Sequence, residues 1–165
     1  MLLQGADQWP GRYVQPEYLM KYPGQPDRLP GEKERNLEMM ILFYSPIADE
    51  VDQRFQKEIE AAILNEPLEI HRNIESLNRR LCQPRYNLDI AVLNAGSHEN
   101  LEELLSMREL FDRIRIILIL HDREVETVRK GHTLFPRFLT YADSDLDWVT
   151  AVLKKMLLNN HDGKK

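Results

Sequence analysis

Residues 114–120, Ile-Arg-Ile-Ile-Leu-Ile-Leu, form the strongest strand candidate in the chain, with Arg115 as the only polar member. A strand with one face in water would alternate polar and apolar residues. A continuous apolar run of this length instead indicates a strand that is buried on both faces. Strands of this kind occur in parallel sheets whose two faces are covered by helices. The segment therefore predicts an α/β fold.

Strand candidates and helical stripes alternate on either side of this run. The other strand candidates are residues 39–44, 68–70, 88–93 and 138–141. Apolar residues at helical spacing lie between them, and the first such helix is predicted to begin with Ser45 as N-cap and Pro46 at the first helical position. Five strands alternating with five helices predict one parallel sheet with helices on both faces. The functional loops are then expected at the carboxyl ends of the strands.

The chain divides into three parts by composition. Residues 1–36 hold five prolines, four glycines and four aromatic residues, and we predict an irregular N-terminal arm or linker there. This arm is either flexible or docked, and the sequence leaves both possibilities open. Residues 37–160 are predicted to form the α/β domain, and residues 161–165 a polar tail.

Charge and cysteine content restrict the partners and the compartment. The formal net charge is −5, and residues 1–36 are balanced, so the domain carries the whole excess of acid. An acidic domain without a basic stripe argues against nucleic acid as a partner. The sequence has no apolar run long enough to span a bilayer and no signal-peptide core, so we expect no membrane partner. The single cysteine, Cys82, cannot form an internal disulfide, which favours a cytoplasmic location, and its place on an apolar helical stripe indicates packing.

Two segments resemble the receiver domain of bacterial response regulators. Residues 84–94, Pro-Arg-Tyr-Asn-Leu-Asp-Ile-Ala-Val-Leu-Asn, are similar to the third strand of that family, which ends at the phospho-acceptor aspartate. Residues 138–141, Phe-Leu-Thr-Tyr, are similar to its fifth strand, in which an aromatic residue precedes the signalling lysine by three positions. The resemblance covers about three quarters of the chain. It implies a flavodoxin-like, receiver-like fold and a role in two-component signalling.

The residues that carry the family's phosphorylation chemistry are replaced. Ser45 and Pro46 occupy the turn where the family has two magnesium-binding acids, and Asn94 replaces the acceptor aspartate. His121 follows the fourth strand where a Thr or Ser would be expected, and Tyr141 replaces the lysine. Phosphoryl transfer needs a nucleophile and cations that offset charge on the phosphoryl oxygens. We therefore expect a degenerate pseudo-receiver that is not an enzyme, needs no cofactor and is not phosphorylated at residue 94.

The resemblance also implies a protein partner, since receivers commonly dimerise or bind partners through the face formed by the fourth helix, fifth strand and fifth helix. Phe138 stands at the family's switch aromatic on that face, and Phe135 and Trp148 are predicted to extend it. A homodimer through this face is one expectation. The alternative is that Phe138 is half-buried packing and that Trp148 caps the core, and this is the more common fate of large aromatics.

The residues argue against a metal site and a hydrolase, and they leave two functions open besides the interaction module. His98, His121, Asp122 and Asp143 follow strand ends on one edge and include suitable metal ligands, but none has tight ligand spacing, so we predict no metal. Ser45 with His121 lacks the Gly-x-Ser-x-Gly elbow of a hydrolase. A small α/β enzyme or ligand-binding protein that uses the strand-end crevice is the main alternative function. A third possibility is that the arm ties two protomers together.

Overall fold

The structure is a computed structural model, and it describes residues 39–63, 66–84 and 87–162. The predicted N-terminal arm lies outside these residues, as does the start of the predicted domain at residue 37. The predicted polar tail is described only as far as residue 162, and the last helix continues to that point. The two possibilities for the arm, docked or flexible, therefore stay predictions.

Strands and helices alternate through the described part of the chain. They are β1 (Met40–Tyr44), α1 (Glu50–Ile63), β2 (Leu68–His71), α2 (Ile74–Leu81), β3 (Leu88–Ala95), α3 (His98–Ser106), a short 3-10 helix (Arg108–Phe111), β4 (Arg115–Leu120), α4 (Val125–His132), β5 (Phe138–Tyr141) and α5 (Leu146–Asp162).

The strands form one five-stranded sheet in the order β2-β1-β3-β4-β5, and every neighbouring pair is parallel. The predicted parallel sheet is thus confirmed. Along each central strand, successive side chains enter two different cores, as the period of two requires. In β4, for example, Leu118 packs on the face covered by α2, α3 and α4. Ile117 and Ile119 pack on the face covered by α1 and α5.

Burial of both faces accounts for the apolar composition of β4. Its residues from Ile116 to Leu120 are all buried, and each fully buried aliphatic side chain contributes about 1.5–3 kcal/mol relative to an exposed one. α4 lies close to this strand at Gly131, where an added Cβ would come within 3.2 Å of Leu118 Cδ2. An alanine there would require the side chains of Leu118 and Leu120 to shift by a few tenths of an ångström. No helix in the described ranges is long and apolar enough to cross a membrane.

Three local predictions were wrong. α1 begins at Glu50 and not at Pro46, because Asp49 Oδ1 accepts a hydrogen bond from the Asp52 amide at 2.8 Å and so caps the helix. The apolar stripe of Leu101, Leu104, Leu105 and Phe111 predicts one continuous third helix, but this helix ends at Ser106 and Phe111 belongs to the 3-10 helix. Cys82 does not pack in the core, because it is the C-cap of α2 and is exposed.

Candidate functional site at the carboxyl ends of the strands

The order of the strands brings the carboxyl ends of β1 and β3 side by side. Ligands of open α/β sheets commonly bind at the point where the chain connections change direction, which here lies between these two strands. Ser45 follows β1, and Asn94 is the penultimate residue of β3. Their side chains meet, since Asn94 Nδ2 donates to Ser45 Oγ over 3.1 Å. Two of the predicted pocket residues therefore form one hydrogen-bonded pair.

This pair is sealed from solvent. Asn94 is only 5% exposed and Ser45 is fully buried. Ser45 Oγ in turn donates to the Ile47 carbonyl at 3.2 Å. The amide oxygen of Asn94 is also buried and finds no hydrogen-bond partner among the described residues. A buried amide of this kind offers one unpaired acceptor, but it has no nucleophile for a phosphoryl group.

The loop after β1 closes over the loop after β3. A Cβ atom placed on Gly96 would lie 1.9 Å from Ile47 Cδ1 and 2.8 Å from Ile47 Cγ1, so the isoleucine occupies the space that any other residue at position 96 would need. Pro46 is half-buried in the same loop. The turn that the resemblance assigns to a metal-binding acid pair thus holds a proline and an apolar side chain lying against the next loop.

An ion pair that the sequence analysis missed holds this loop in place. Arg72, just after β2, pairs through Nη1 with Asp52 Oδ2 and donates through Nη2 to Gln56 Oε1 at 2.5 Å. Arg72 Nη1 also lies 3.3 Å from the Ser45 carbonyl and 3.5 Å from the Ile47 carbonyl. The acidic side chain of Asp52 therefore lies next to this loop, but its Oδ2 is already bound to a guanidinium.

The signal for this pair was present in the sequence. Asp52 lies three residues before Phe55 and seven before Ile59, which places all three on one helix face, and Asp52 is as fully buried as they are. A buried carboxylate requires a cation nearby. Val51 also stands at a four-residue apolar spacing with Phe55 and Ile59, which predicts that it is buried with them, but in the structure it is exposed.

Tyr141 stands where the resemblance places the signalling lysine. The guanidinium of Arg123 lies over its ring, 4.4 Å from the centroid. Arg123 Nη1 also donates to Asp143 Oδ2 at 2.5 Å. This hydrogen bond raises the pKa of Arg123 and lowers the pKa of Asp143, but both groups are exposed, so the pair contributes little to stability. The cation at this position is therefore engaged with a carboxylate and an aromatic ring.

Three of the four histidine and aspartate side chains weighed as metal ligands come together. His98, at the start of α3, and His121, just after β4, have ring centroids 4.6 Å apart with the rings nearly perpendicular. Asp122 Oδ2 lies 2.9 Å from His121 Nε2 and 3.7 Å from His98 Nε2. Burial opposes the ionisation of Asp122, but a hydrogen bond from the Glu124 amide and the nearby imidazoles leave its pKa below the ordinary value. Asp143 is not part of this group.

The predicted partner residues have different surroundings. Phe135 is 88% exposed and lines a cleft at the amino ends of β4 and β5 together with several arginines. Trp148 on α5 is 65% exposed, so it does not cap the core. Phe138 is half-buried and packs against the core beneath α1 and α5. The packing interpretation therefore holds for Phe138 and is wrong for Trp148.

Comparison with known proteins adds the fold and little else. No family model matches the sequence, and no curated protein does. Among solved structures, a CheY-like receiver domain from Methanospirillum hungatei superposes with a TM-score of 0.59 at 10% identity, over 76% of this chain and 98% of that one. The signal receiver domain of an HD domain-containing protein from Pseudomonas fluorescens gives 0.58 at 16% identity over the same shares.

A protein described as pilus assembly-related, from Burkholderia pseudomallei, superposes with a TM-score of 0.56 at 13% identity, over 72% of this chain and 89% of that chain. Identities this low show only a shared fold. The strand order and the five helices of this chain agree with that fold. The chain therefore has the flavodoxin-like fold of CheY-like receiver domains.

Proposed function

We propose that this chain is a receiver-like signalling module that acts by binding another protein and is not phosphorylated at residue 94. The observation that carries the proposal is the state of Asn94. Asn94 is 5% exposed, its amide nitrogen is bound to Ser45 Oγ, and Ile47 lies against Gly96 two residues later. An aspartyl phosphate at this position would have neither an acidic pair for magnesium nor a lysine to offset its charge.

The test is a titration of the full chain with beryllofluoride and Mg²⁺, which together mimic an aspartyl phosphate, followed by amide NMR. We expect an unchanged spectrum. A phosphorylatable receiver domain treated alongside serves as the positive control. Specific shifts around Asn94 in this chain would defeat the proposal.

An Asn94→Asp variant separates the missing nucleophile from the missing surroundings. The acceptor carboxylate would be restored, but Ser45 and Pro46 would still stand where the acids belong, and Tyr141 where the lysine belongs. We expect this variant to remain silent in the same titration. A response as strong as that of the control receiver would show that the pocket is intact apart from one residue.

The partner surface is proposed from the exposed aromatics. Phe135 and Trp148 are the most exposed aromatic side chains among the residues with described burial, and exposed aromatics are favoured anchors of interfaces. A second copy of the chain is one proposed partner. A cytoplasmic location, without nucleic acid or membrane as partners, completes the proposal, and the free, exposed Cys82 supports it.

Trp148→Ser, with mass measured in solution, tests the homodimer. Leu158→Ser is the matched control, because Leu158 lies on the same helix and is also 65% exposed. If Trp148 anchors a dimer, its replacement shifts the dimer to monomer and the Leu158 replacement does not. Deleting residues 1–36 tests the separate idea that the arm ties two protomers together. An unchanged mass after that deletion would exclude the arm as the tie.

The alternative function, a small enzyme or ligand-binding protein that uses the strand-end crevice, is favoured by one observation. His98, His121 and Asp122 converge at this edge with all of their potential ligand atoms within 4.8 Å of one another. Metal bound in the purified protein would support this alternative. If the chain binds neither a small molecule nor a metal there, the interaction module is the only proposal that remains.

A further inference from the structure

His121 is held in one orientation by the backbone of the neighbouring strand. Its Nδ1 lies 3.1 Å from the carbonyl oxygen of Ala95, the last residue of β3. A carbonyl can only accept a hydrogen bond, so Nδ1 must carry the hydrogen. The lone pair of the neutral ring is therefore on Nε2. Histidines that bind metals commonly have their other nitrogen fixed by a backbone carbonyl in this way.

Nε2 of His121 lies close to a carboxylate oxygen but off the direction of a hydrogen bond to it. Nε2 lies 2.9 Å from Asp122 Oδ2, and an ionised carboxylate has no hydrogen to give. The Nε2 atom is buried and makes no directed hydrogen bond to any described residue. Asp122 is itself oriented by the Glu124 amide, which donates to Oδ1 at 3.0 Å and leaves Oδ2 for the imidazoles. Two potential metal ligands therefore lie side by side with no hydrogen bond joining them.

His98 brings a third ligand to the same point. Its Nε2 is 3.7 Å from Asp122 Oδ2, and the ligand atoms of the three residues lie within 4.8 Å of one another. Two ligands about 2.0–2.1 Å from a tetrahedral zinc ion are roughly 3.4 Å apart, so the two distances to Asp122 already bracket this value. The side chain of His98 is 56% exposed, which leaves its ring free to turn the remaining distance.

From this geometry we infer that His98, His121 and Asp122 form a binding site for a divalent transition metal ion, with zinc as the preferred occupant. Two imidazole nitrogens and one carboxylate oxygen suit zinc and its neighbours in the first transition row, and they suit magnesium and calcium poorly. The prediction of no metal rested on spacing along the sequence. His98 and His121 are 23 positions apart, and it is the pairing of β3 with β4 that brings their loops together.

The site joins two segments of the chain. His98 is the first residue of α3, whereas His121 and Asp122 belong to the connection between β4 and α4. A bound ion would fasten α3 to this connection. Three protein ligands also leave a coordination position open for water or for a group from a partner. The inference goes beyond the proposed interaction module and does not depend on it.

The test uses the full chain, freed of metal by a chelator and titrated with Zn²⁺ against a chromophoric competitor. We expect one equivalent to bind, with a higher melting temperature as the result. His98→Ala should weaken binding by at least about tenfold, because losing a ligand costs no less than losing one of the groups that orient it. Without metal, this variant should melt like the parent chain, since His98 is largely exposed.

His132→Ala is the matched control, because His132 is an exposed histidine on α4 outside the cluster. It should bind Zn²⁺ as tightly as the parent chain. Co²⁺ gives an independent readout, since its absorption reports the number and type of ligands. The inference is overturned if the parent chain binds no Zn²⁺, or if His98→Ala binds as tightly as the parent chain. It is also overturned if the His98 and His121 ring resonances respond to pH but not to metal, which would indicate a protonated imidazole bound to Asp122.

Discussion

The ion pair between Arg72 and Asp52 predicts a marked asymmetry between its two partners. Asp52 is 1% exposed, whereas the side chain of Arg72 is 37% exposed. Arg72→Met leaves the Asp52 carboxylate buried without its cation, and removing one partner of a buried pair costs about 3–5 kcal/mol. Because Arg72 is partly exposed, we expect the free energy of unfolding to fall by about 3 kcal/mol, at the lower end of that range. Asp52→Asn leaves a guanidinium that water can still solvate, and should cost only about 1–2 kcal/mol.

Urea unfolding of both variants and the parent chain gives the comparison. Equal losses in the two variants would refute the role assigned to Arg72.

Three further predictions follow from other parts of the structure. Burial, with smaller effects of nearby glutamates, raises the pKa of Tyr44 to about 12. In the unfolded chain the tyrosine loses its proton near pH 10. The free energy of unfolding should therefore fall by up to about 2.7 kcal/mol as the pH rises from 10 to 12. Tyr44→Phe should reduce this fall in alkaline urea titrations. Gly96→Ala should destabilise the chain by about 1–3 kcal/mol through its clash with Ile47, and Ile47→Ala should relieve most of that loss in a double-mutant cycle. Exposed Cys82 should react with a thiol reagent in the native protein nearly as fast as in urea, and strong native-state protection would contradict its position.

The fold could be predicted because its main signals are local. The run around Ile117 predicts a strand that is buried on both sides, and that strand is an interior strand of the sheet, between β3 and β5. The exact starts of helices were harder. Ser45 and Pro46 have the chemistry of a helix start, but Asp49 caps α1 instead, and the hydroxyl of Ser45 is used by Asn94.

The site was harder to predict because its contacts join residues that are distant in sequence. The periodicity of α1 indicates that Asp52 is buried, but Arg72 meets it only through the pairing of β1 with β2, and nothing within either segment identifies Arg72 as the partner. The histidines likewise lack a spacing motif, since the parallel register of the sheet sets their separation. Sequence reasoning found His98 and His121 as candidates, but it could not tell that Asp122 would join them and that Asp143 would not.

The two ends of β4 present different kinds of surface, and this has a consequence for regulation. Phe135 lies at the amino end, in a cleft that also contains Arg115, while His121 follows the carboxyl end. Six residues of strand separate the two ends, which is about 20 Å at roughly 3.3 Å per residue. A protein docked at the aromatic end and an ion held at the histidine end would not collide. A partner bound at the Phe135 end could therefore influence an ion bound at the His121 end only through β4 and the helices packed on it.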